Sequence, residues 1–593
     1  MAVVLAASLL SLPTAQAPLD REAGRWVNDT LARLSLDDRI GQLMAPGFDS
    51  TYLPSDSDDY DRLVRVIQES HAGGVIAFGG TEPAPQVLLN PAYGSVVLGQ
   101  PLALAATLNR LQAISPVPLL ATADFEFGAG MRIAGATRFP RAMAIGAAGD
   151  DQLAFEAGRL TAIEGRAMGV HVNFAPVADV NNNARNPVIN TRSFGEDPAR
   201  VGALVSAYVR GLQQGGMLAT LKHFPGHGDT EVDSHLGLPL IAHPRERLDA
   251  TELPPFLAGL SAGAAATMVA HIELPALDAE KQPATFSRAV ITNLLRRELA
   301  FGGLIVTDSM KMDAISRMVE PGEAAVRAVA AGADLVLDSP DPVAAFKGVR
   351  EAVERGQIDR AQVDASVRRV LEAKARLGLH RTRAVTLDSV PLTVGSRRHQ
   401  VVARAISEKS MTLVKDEGDR VPLGLPPGAS VLYLSVLDYP SGWRIASPSR
   451  TIIPELKRRW PATEAVEVSD RSTPNELDLV RTMASRYDAI VAGVFVRAAS
   501  GSGRLDLAPG VVRLLQLLAR DARRRSQPMA TVFFGNPYAA ATLPELPAVL
   551  LTYDFSDLAE ASAVKALAGE VAIGGRLPIS IPGLFPAGHG LTR

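Results

Sequence analysis

Between about residues 40 and 380 the chain alternates short apolar runs with helix-length segments, and this rhythm constrains the fold more than any other feature. The runs are 41–47, 74–78, 118–124, 170–177, 217–222, 266–271, 302–308 and 333–338, eight in all. They are continuously apolar rather than alternating, as expected of strands buried on both faces of a parallel sheet. The segments between them have helical periodicity. In the last, Val363, Val367, Val370, Leu371 and Leu377 fall near i, i+4, i+7, i+8 and i+14. Eight strand–helix repeats predict an α/β fold that begins with a (β/α)8 TIM-type barrel over residues 21–380. Residues 381–400 read as a linker. Further apolar runs at 430–436, 489–496, 530–534 and 548–553 predict a smaller α/β sandwich domain over 401–593, with a mainly parallel sheet.

Composition removes several function classes. The 60 basic and 63 acidic residues are interspersed, with no basic block suited to a phosphate backbone, so nucleic acid is not an expected partner. Cysteine is absent, which excludes disulfides, thiolate catalysis and Cys-ligated metal. Aromatics make up only 5%, so no broad stacking platform for long polysaccharide is indicated. At the N-terminus an apolar run over 2–12 precedes Pro13, Thr14 and Ala15-Gln16-Ala17. This has the look of a secretory signal within residues 1–20, and predicts a periplasmic or secreted protein. No Lys or Arg precedes the run and Pro18 follows the cleavage-like site, so a frayed terminus on a cytoplasmic protein is the alternative. The run is short for a membrane span, no later stretch reads as one, and no obligate protein partner is evident.

In a barrel, the loops after the strands build the functional face. Asp124 ends the third run, Lys222 and His223 the fifth, His271 the sixth and Asp308 the seventh. A lone charge at a buried strand end is costly. Any one of these is as well explained by an ion pair, but several on one rim point to a site. The richest stretch is Lys222-His223-Phe224-Pro225-Gly226-His227-Gly228-Asp229-Thr230-Glu231-Val232-Asp233-Ser234-His235, a strand end passing into a Gly- and Pro-containing loop. His227, Asp229, Asp233 and His235 also offer the donor types of a metal site, although in no metal-ligand helix spacing.

That stretch resembles the signature of glycoside hydrolase family 3, in its bacterial β-N-acetylglucosaminidase branch. Three other segments agree: Leu304-Ile305-Val306-Thr307-Asp308-Ser309-Met310, Asp124-Phe125-Glu126, and Asn190-Thr191-Arg192-Ser193-Phe194-Gly195. The resemblance implies Asp308 as nucleophile and His235, paired with Asp233, as acid/base. It also implies Asp124, Arg132, Arg192, Lys222 and His223 as sugar-binding residues. The sequence departs from the family pattern at Phe127-Gly128-Ala129-Gly130, which puts contacts on the far side of the first sugar in doubt. The ending Gly574-Gly575-Arg576-Leu577-Pro578, then Ile581-Pro582-Gly583, is similar to other two-domain members. The implied activity is a retaining exo-β-N-acetylhexosaminidase acting on a carbohydrate with terminal β-linked N-acetylglucosamine, such as a peptidoglycan fragment. No metal or organic cofactor is implied. The alternatives are a family 3 β-glucosidase or broad exo-glycosidase, a phosphorylase in which phosphate replaces water, and a non-catalytic sugar-binding wall module.

Overall fold

The computed structural model describes residues 18–79, 98–437, 448–496 and 506–593. The apolar N-terminal run lies outside them. Nine short strands occupy the first half: β1 (Met44–Ala45), β2 (Gly47–Asp49), β3 (Gly74–Phe78), β4 (Leu120–Ala123), β5 (Val172–Asn173), β6 (Leu218–Phe224), β7 (Ala266–Val269), β8 (Leu304–Thr307) and β9 (Val336–Leu337). β2 to β8 pair in chain order, all parallel, in one curled sheet. β1 pairs in parallel with β9. Pro46, which has no N–H to donate, separates β1 from β2, yet its carbonyl still accepts from Ile76.

Side-chain alternation along these strands explains the unbroken apolar runs. Ile76, Leu120, Val172, Leu304 and Val306 pack together inside the curl. Val75, Ala77, Ala121, Ala123 and Ile305 point outward into a second core shared with the helices. Both faces are buried, so neither can be polar. Several of the covering helices start at an Asp that accepts from the first turn, namely Asp150, Asp197, Asp341 and Asp359. They return the chain so that each loop after a strand opens on the same end of the sheet.

The 381–400 segment carries short helical turns at Leu387–Ser389 and Val390–Thr393 and the start of a helix, Arg397–Ser410. A six-stranded sheet follows, made of β10 (Thr412–Asp416), β11 (Ser430–Leu437), β12 (Ala462–Ser469), β13 (Ala489–Val496), β14 (Met529–Gly535) and β15 (Ala548–Leu551), in the order β10-β15-β14-β13-β11-β12. Only β10 runs antiparallel to its neighbour. Leu432, Leu434 and Val436 fill one face of this sheet, and Val431 and Tyr433 the other.

The segment after β14 and the C-terminal tail abut the loop that follows β5 in the first sheet. Asn181 Nδ2 donates to Tyr538 Oη at 2.8 Å, and Asn190 Nδ2 to Asn536 Oδ1 at 3.2 Å. Glu196 accepts from the backbone N–H of Ser580 at 2.7 Å and from its hydroxyl at 2.6 Å. The Gly-rich tail packs back on β10: a Cβ at Gly575 would lie 2.5 Å from the Ser410 carbonyl oxygen. Among the described residues no helix is long and apolar enough to cross a membrane.

Candidate active site

Lys222, at the end of β6, is the centre of the site. It is 2% exposed, and burying an ammonium demands paired acceptors. Its Nζ lies 2.8 Å from Asp124 Oδ1 and 2.7 Å from Glu126 Oε1, both just beyond β4. Asp124 also receives Arg132 at 3.1 Å. Glu126 takes a bidentate pair from Arg192, at 2.9 and 2.7 Å. Burial pushes both carboxyls up, but the cations outweigh it. Lys222 and Arg132 hold Asp124 below its usual range, and Arg192 and Lys222 hold Glu126 well below its own. Lys222 is opposed by burial, yet Asp124 and Glu126 raise it above the ordinary lysine value. The group is a charged, pre-paired floor with acceptors and donors interleaved.

His223 faces the same floor from the opposite side of the chain. The Lys222–His223 peptide is cis. Arg192 donates to His223 Nε2 at 3.3 Å, so that nitrogen is the acceptor and Nδ1 carries the hydrogen. Nδ1 donates to Asp179 Oδ2 at 2.7 Å. Asp179 is fully buried and also accepts the backbone N–H of His227 at 2.7 Å. It therefore ties the loop after β5 to the start of the loop after β6. His227 bonds Thr230 Oγ1 through Nδ1 at 2.8 Å and Ser234 Oγ through Nε2 at 3.1 Å. Burial, with the neighbouring His223 ring, lowers its imidazole to about 4. His227 is thus a neutral brace of the loop. Asp229 pairs with His243 at 2.7 Å instead. The four groups read as candidate metal donors are divided among separate partners.

The brace presents Asp233 and His235. Asp233 is buried, and its Oδ1 accepts from the backbone N–H of His235 at 2.9 Å and from His235 Nδ1 at 2.7 Å. The imidazole is 37% exposed, with Nε2 free of this bond. Ala314 N–H donates to the Ser234 carbonyl at 3.3 Å, which stitches this turn to the segment following Asp308.

Asp308 follows β8. Its Oδ1 accepts from the backbone N–H of Ser309 at 2.7 Å. Burial raises its carboxyl, but the neighbouring imidazoles of His223 and His271, the Lys222 ammonium and the Ser309 N–H together bring it down to about 2. It is a carboxylate at any working pH. His271, after β7, donates from Nε2 to the Ser309 carbonyl at 3.0 Å, while Nδ1 meets Thr285 Oγ1 at 2.6 Å. The Thr285 hydroxyl itself donates to the Ala270 carbonyl at 3.0 Å, and burial lowers the His271 imidazole from its ordinary value.

The residues that the sequence singles out for the site all end or follow strands at one end of the sheet. Asp124, Arg132, Arg192, Lys222 and His223 form one bonded network, Asp308 lies within its field, and Asp233 and His235 form a pair on the adjoining loop. Sequence reasoning missed Glu126 as the second carboxylate on Lys222, and missed Asp179 altogether. Asp179 lies two residues past its apolar run, whereas Asp124 and Asp308 end theirs, so the strand-end signal that found those two did not reach it.

Residues 35–373 match the N-terminal domain of glycosyl hydrolase family 3. The chain belongs to this family. It is 32% identical over 424 residues to a beta-N-acetylglucosaminidase/beta-glucosidase of Cellulomonas fimi, covering 70% of this chain and 71% of that protein. It is 32% identical to beta-hexosaminidase A of Pseudoalteromonas piscicida over 64% of either chain, so somewhat less than two thirds of that relative is spanned. A solved family 3 beta-N-acetylglucosaminidase from Paenibacillus sp. str. FPU-7 superposes with a TM-score of 0.79 at 35% identity, over 92% of this chain and 99% of its own. The family match falls on the curled sheet and its loops, where the network of charges lies.

Proposed function

We propose that this protein is a retaining exo-β-N-acetylhexosaminidase that removes terminal β-linked N-acetylglucosamine through a covalent glycosyl-enzyme. The observation that carries the reading is the Asp233–His235 pair: a buried carboxylate 2.7 Å from Nδ1 of a half-exposed imidazole whose Nε2 is left for the substrate. The Paenibacillus relative, named a beta-N-acetylglucosaminidase, and the Pseudoalteromonas one, named a beta-hexosaminidase, support this reading, while the Cellulomonas name joins beta-glucosidase to beta-N-acetylglucosaminidase.

Glycoside hydrolysis needs a nucleophile and a proton donor on opposite sides of the scissile bond. Asp308 is the nucleophile, ionised by its cationic surroundings. Its oxygen bonds the anomeric carbon as the glycosidic bond breaks, and the bond's electron pair leaves with the aglycone oxygen. His235 gives that oxygen a proton from Nε2, then takes one from the water that releases the sugar. Asp233 fixes the tautomer and stabilises the imidazolium between the two steps. Asp124, Arg132, Arg192, Lys222 and His223 hold the sugar hydroxyls.

We read the curled sheet as a (β/α)8 barrel. The pairing of β1 with β9 and the parallel bridge between Val306 and Leu335 support closure of its two ends. The six-stranded sheet is then a second, sandwich domain after a connector. Export and a role in peptidoglycan turnover fit the N-terminal sequence and the expected sugar.

The test is kcat/KM on p-nitrophenyl β-N-acetylglucosaminide and p-nitrophenyl β-glucoside, with and without inorganic phosphate. Preference for the acetamido sugar, with free sugar as product, is expected. Preference for the glucoside, or phosphate-dependent sugar 1-phosphate, would replace the reading.

A further inference from the structure

The backbone that follows Asp308 is gripped from three sides. Ser309 N–H donates to Asp308 Oδ1 at 2.7 Å. The Ser309 carbonyl accepts from His271 Nε2 at 3.0 Å. The Ser309 hydroxyl donates to Asp338 Oδ2 at 2.8 Å. Asp338 stands just past β9, 4% exposed, and its other oxygen meets Lys311 Nζ at 2.7 Å.

Two features show that the fold accommodates Asp338 at a cost. Its φ is +50°, in the left-handed region that a residue with a Cβ seldom enters. Such conformations collect at functional sites, where the surroundings over-determine them. Opposite it, on β2, is Gly47. A Cβ there would lie 2.4 Å from Asp338 Oδ1, so only glycine admits the carboxylate in this position. A buried acid at an unfavourable φ thus holds the Ser309 hydroxyl on Oδ2, while Gly47 makes room for Oδ1, the oxygen that meets Lys311.

We propose that Asp338 is a positioning residue for Asp308: through the Ser309 hydroxyl it orients the peptide whose N–H occupies Asp308 Oδ1, and so leaves Oδ2 as the oxygen that attacks the anomeric carbon. His271 completes the clamp from the neighbouring strand end. This rests on Asp308 being the nucleophile.

The experiment measures kcat and KM on p-nitrophenyl β-N-acetylglucosaminide for Asp338→Gly, Asp338→Asn, Ser309→Ala and the Asp338→Gly/Ser309→Ala double variant, with thermal unfolding of each. Glycine keeps the positive φ and deletes the carboxylate. Asparagine tolerates that φ and retains an acceptor. An ångström-scale misplacement of a reacting group costs up to about 100-fold, so Asp338→Gly and Ser309→Ala are each expected to lower kcat by about 10- to 100-fold, with KM within about twofold. The double variant is expected to lose no more than the worse single one, because both changes remove the same contact. Asp338→Asn is expected to recover most of the loss. If Asp338→Gly does not fold, Ser309→Ala and Asp338→Asn decide. A folded Ser309→Ala enzyme with unchanged kcat, losses that multiply in the double variant, or a rise in KM alone would overturn the proposal. The nucleophile assignment is read separately, from Asp308→Gly with azide. An α-glycosyl azide product supports it, and no such product removes the premise whatever the Ser309 variants show.

Discussion

Asp233→Asn separates the charge of the pair from its shape. Asparagine can still accept both bonds that Asp233 Oδ1 now receives, from the backbone N–H at 2.9 Å and from Nδ1 at 2.7 Å. What disappears is a negative charge facing the imidazolium that must form. Two unit charges about 4 Å apart interact by about 4 kcal/mol at an effective dielectric constant near 20. The His235 ring is 37% exposed, so solvent screens part of this. A loss of about 2 kcal/mol, or about 30-fold in rate, is the reasoned magnitude. The assay is kcat/KM, which reports steps through glycosyl-enzyme formation only. Phenyl β-N-acetylglucosaminide, whose leaving group needs a proton, should lose about 30-fold, and the 2,4-dinitrophenyl glycoside, which does not, no more than about threefold. Equal losses on both substrates would show that Asp233 merely supports the loop. No loss on either would remove it from the mechanism.

Other consequences can be checked individually. Asp308 is active as a carboxylate and titrates near 2, so its activity is lost only as pH falls towards that value. Because His223, His271 and Lys222 hold it there against burial, removing one of them should raise the pH at which kcat/KM falls in acid, and an unmoved acid limb would contradict this. Glu126→Gln leaves Arg192 and Lys222 short of a buried counter-charge, and breaking such a pair costs about 3–5 kcal/mol, measurable as a shift in denaturant midpoint. Glu560 is raised by burial from 4.5 to about 7, against three backbone N–H donors. An acid raised in the fold favours folding at low pH and loses that contribution as pH climbs from about 4.5 to 7, on the order of 3 kcal/mol; Glu560→Gln should flatten stability over that window. Lys374 is wholly buried and donates to the Gln42 side chain at 2.5 Å, and burial and Arg383 hold its ammonium well below the usual lysine value. Its stability contribution falls as pH falls, and replacing Lys374 by Met together with Gln42 by Leu should raise stability by about 1–4 kcal/mol at neutral pH, read by thermal unfolding.

The fold was legible where burial is two-sided. All eight apolar runs of the first half contain strands, because a parallel strand covered on both faces cannot hide its composition. The second half was read less completely. β12 is an edge strand whose middle is largely exposed, Glu464 and Glu467 included, so it makes no apolar run. β10 joins the sheet antiparallel at its other edge, a pairing that no local pattern announces. Within the site, residues carried by a contiguous motif were found, and residues defined by partners distant in sequence were not. Asp179 meets His223 and His227 across 44 and 48 positions, and Asp338 meets Ser309 across 29. Each carries an ordinary carboxylate whose meaning is a contact, and contacts of that span are fixed by how the sheet curls.

The stretch that bears Asp179 and Arg192 is bonded along its outer edge to Asn536, Tyr538 and Ser580, the first of them 346 residues beyond its partner Asn190. The aim of Arg192, proposed to bind the sugar, is therefore written partly in the far half of the chain. On that reading, drift in that half reaches the enzyme as altered grip on substrate. The two halves are not interchangeable cassettes, and a chimaera that swaps the second for a relative's must carry the matching 181–196 stretch with it to keep its hold on the sugar.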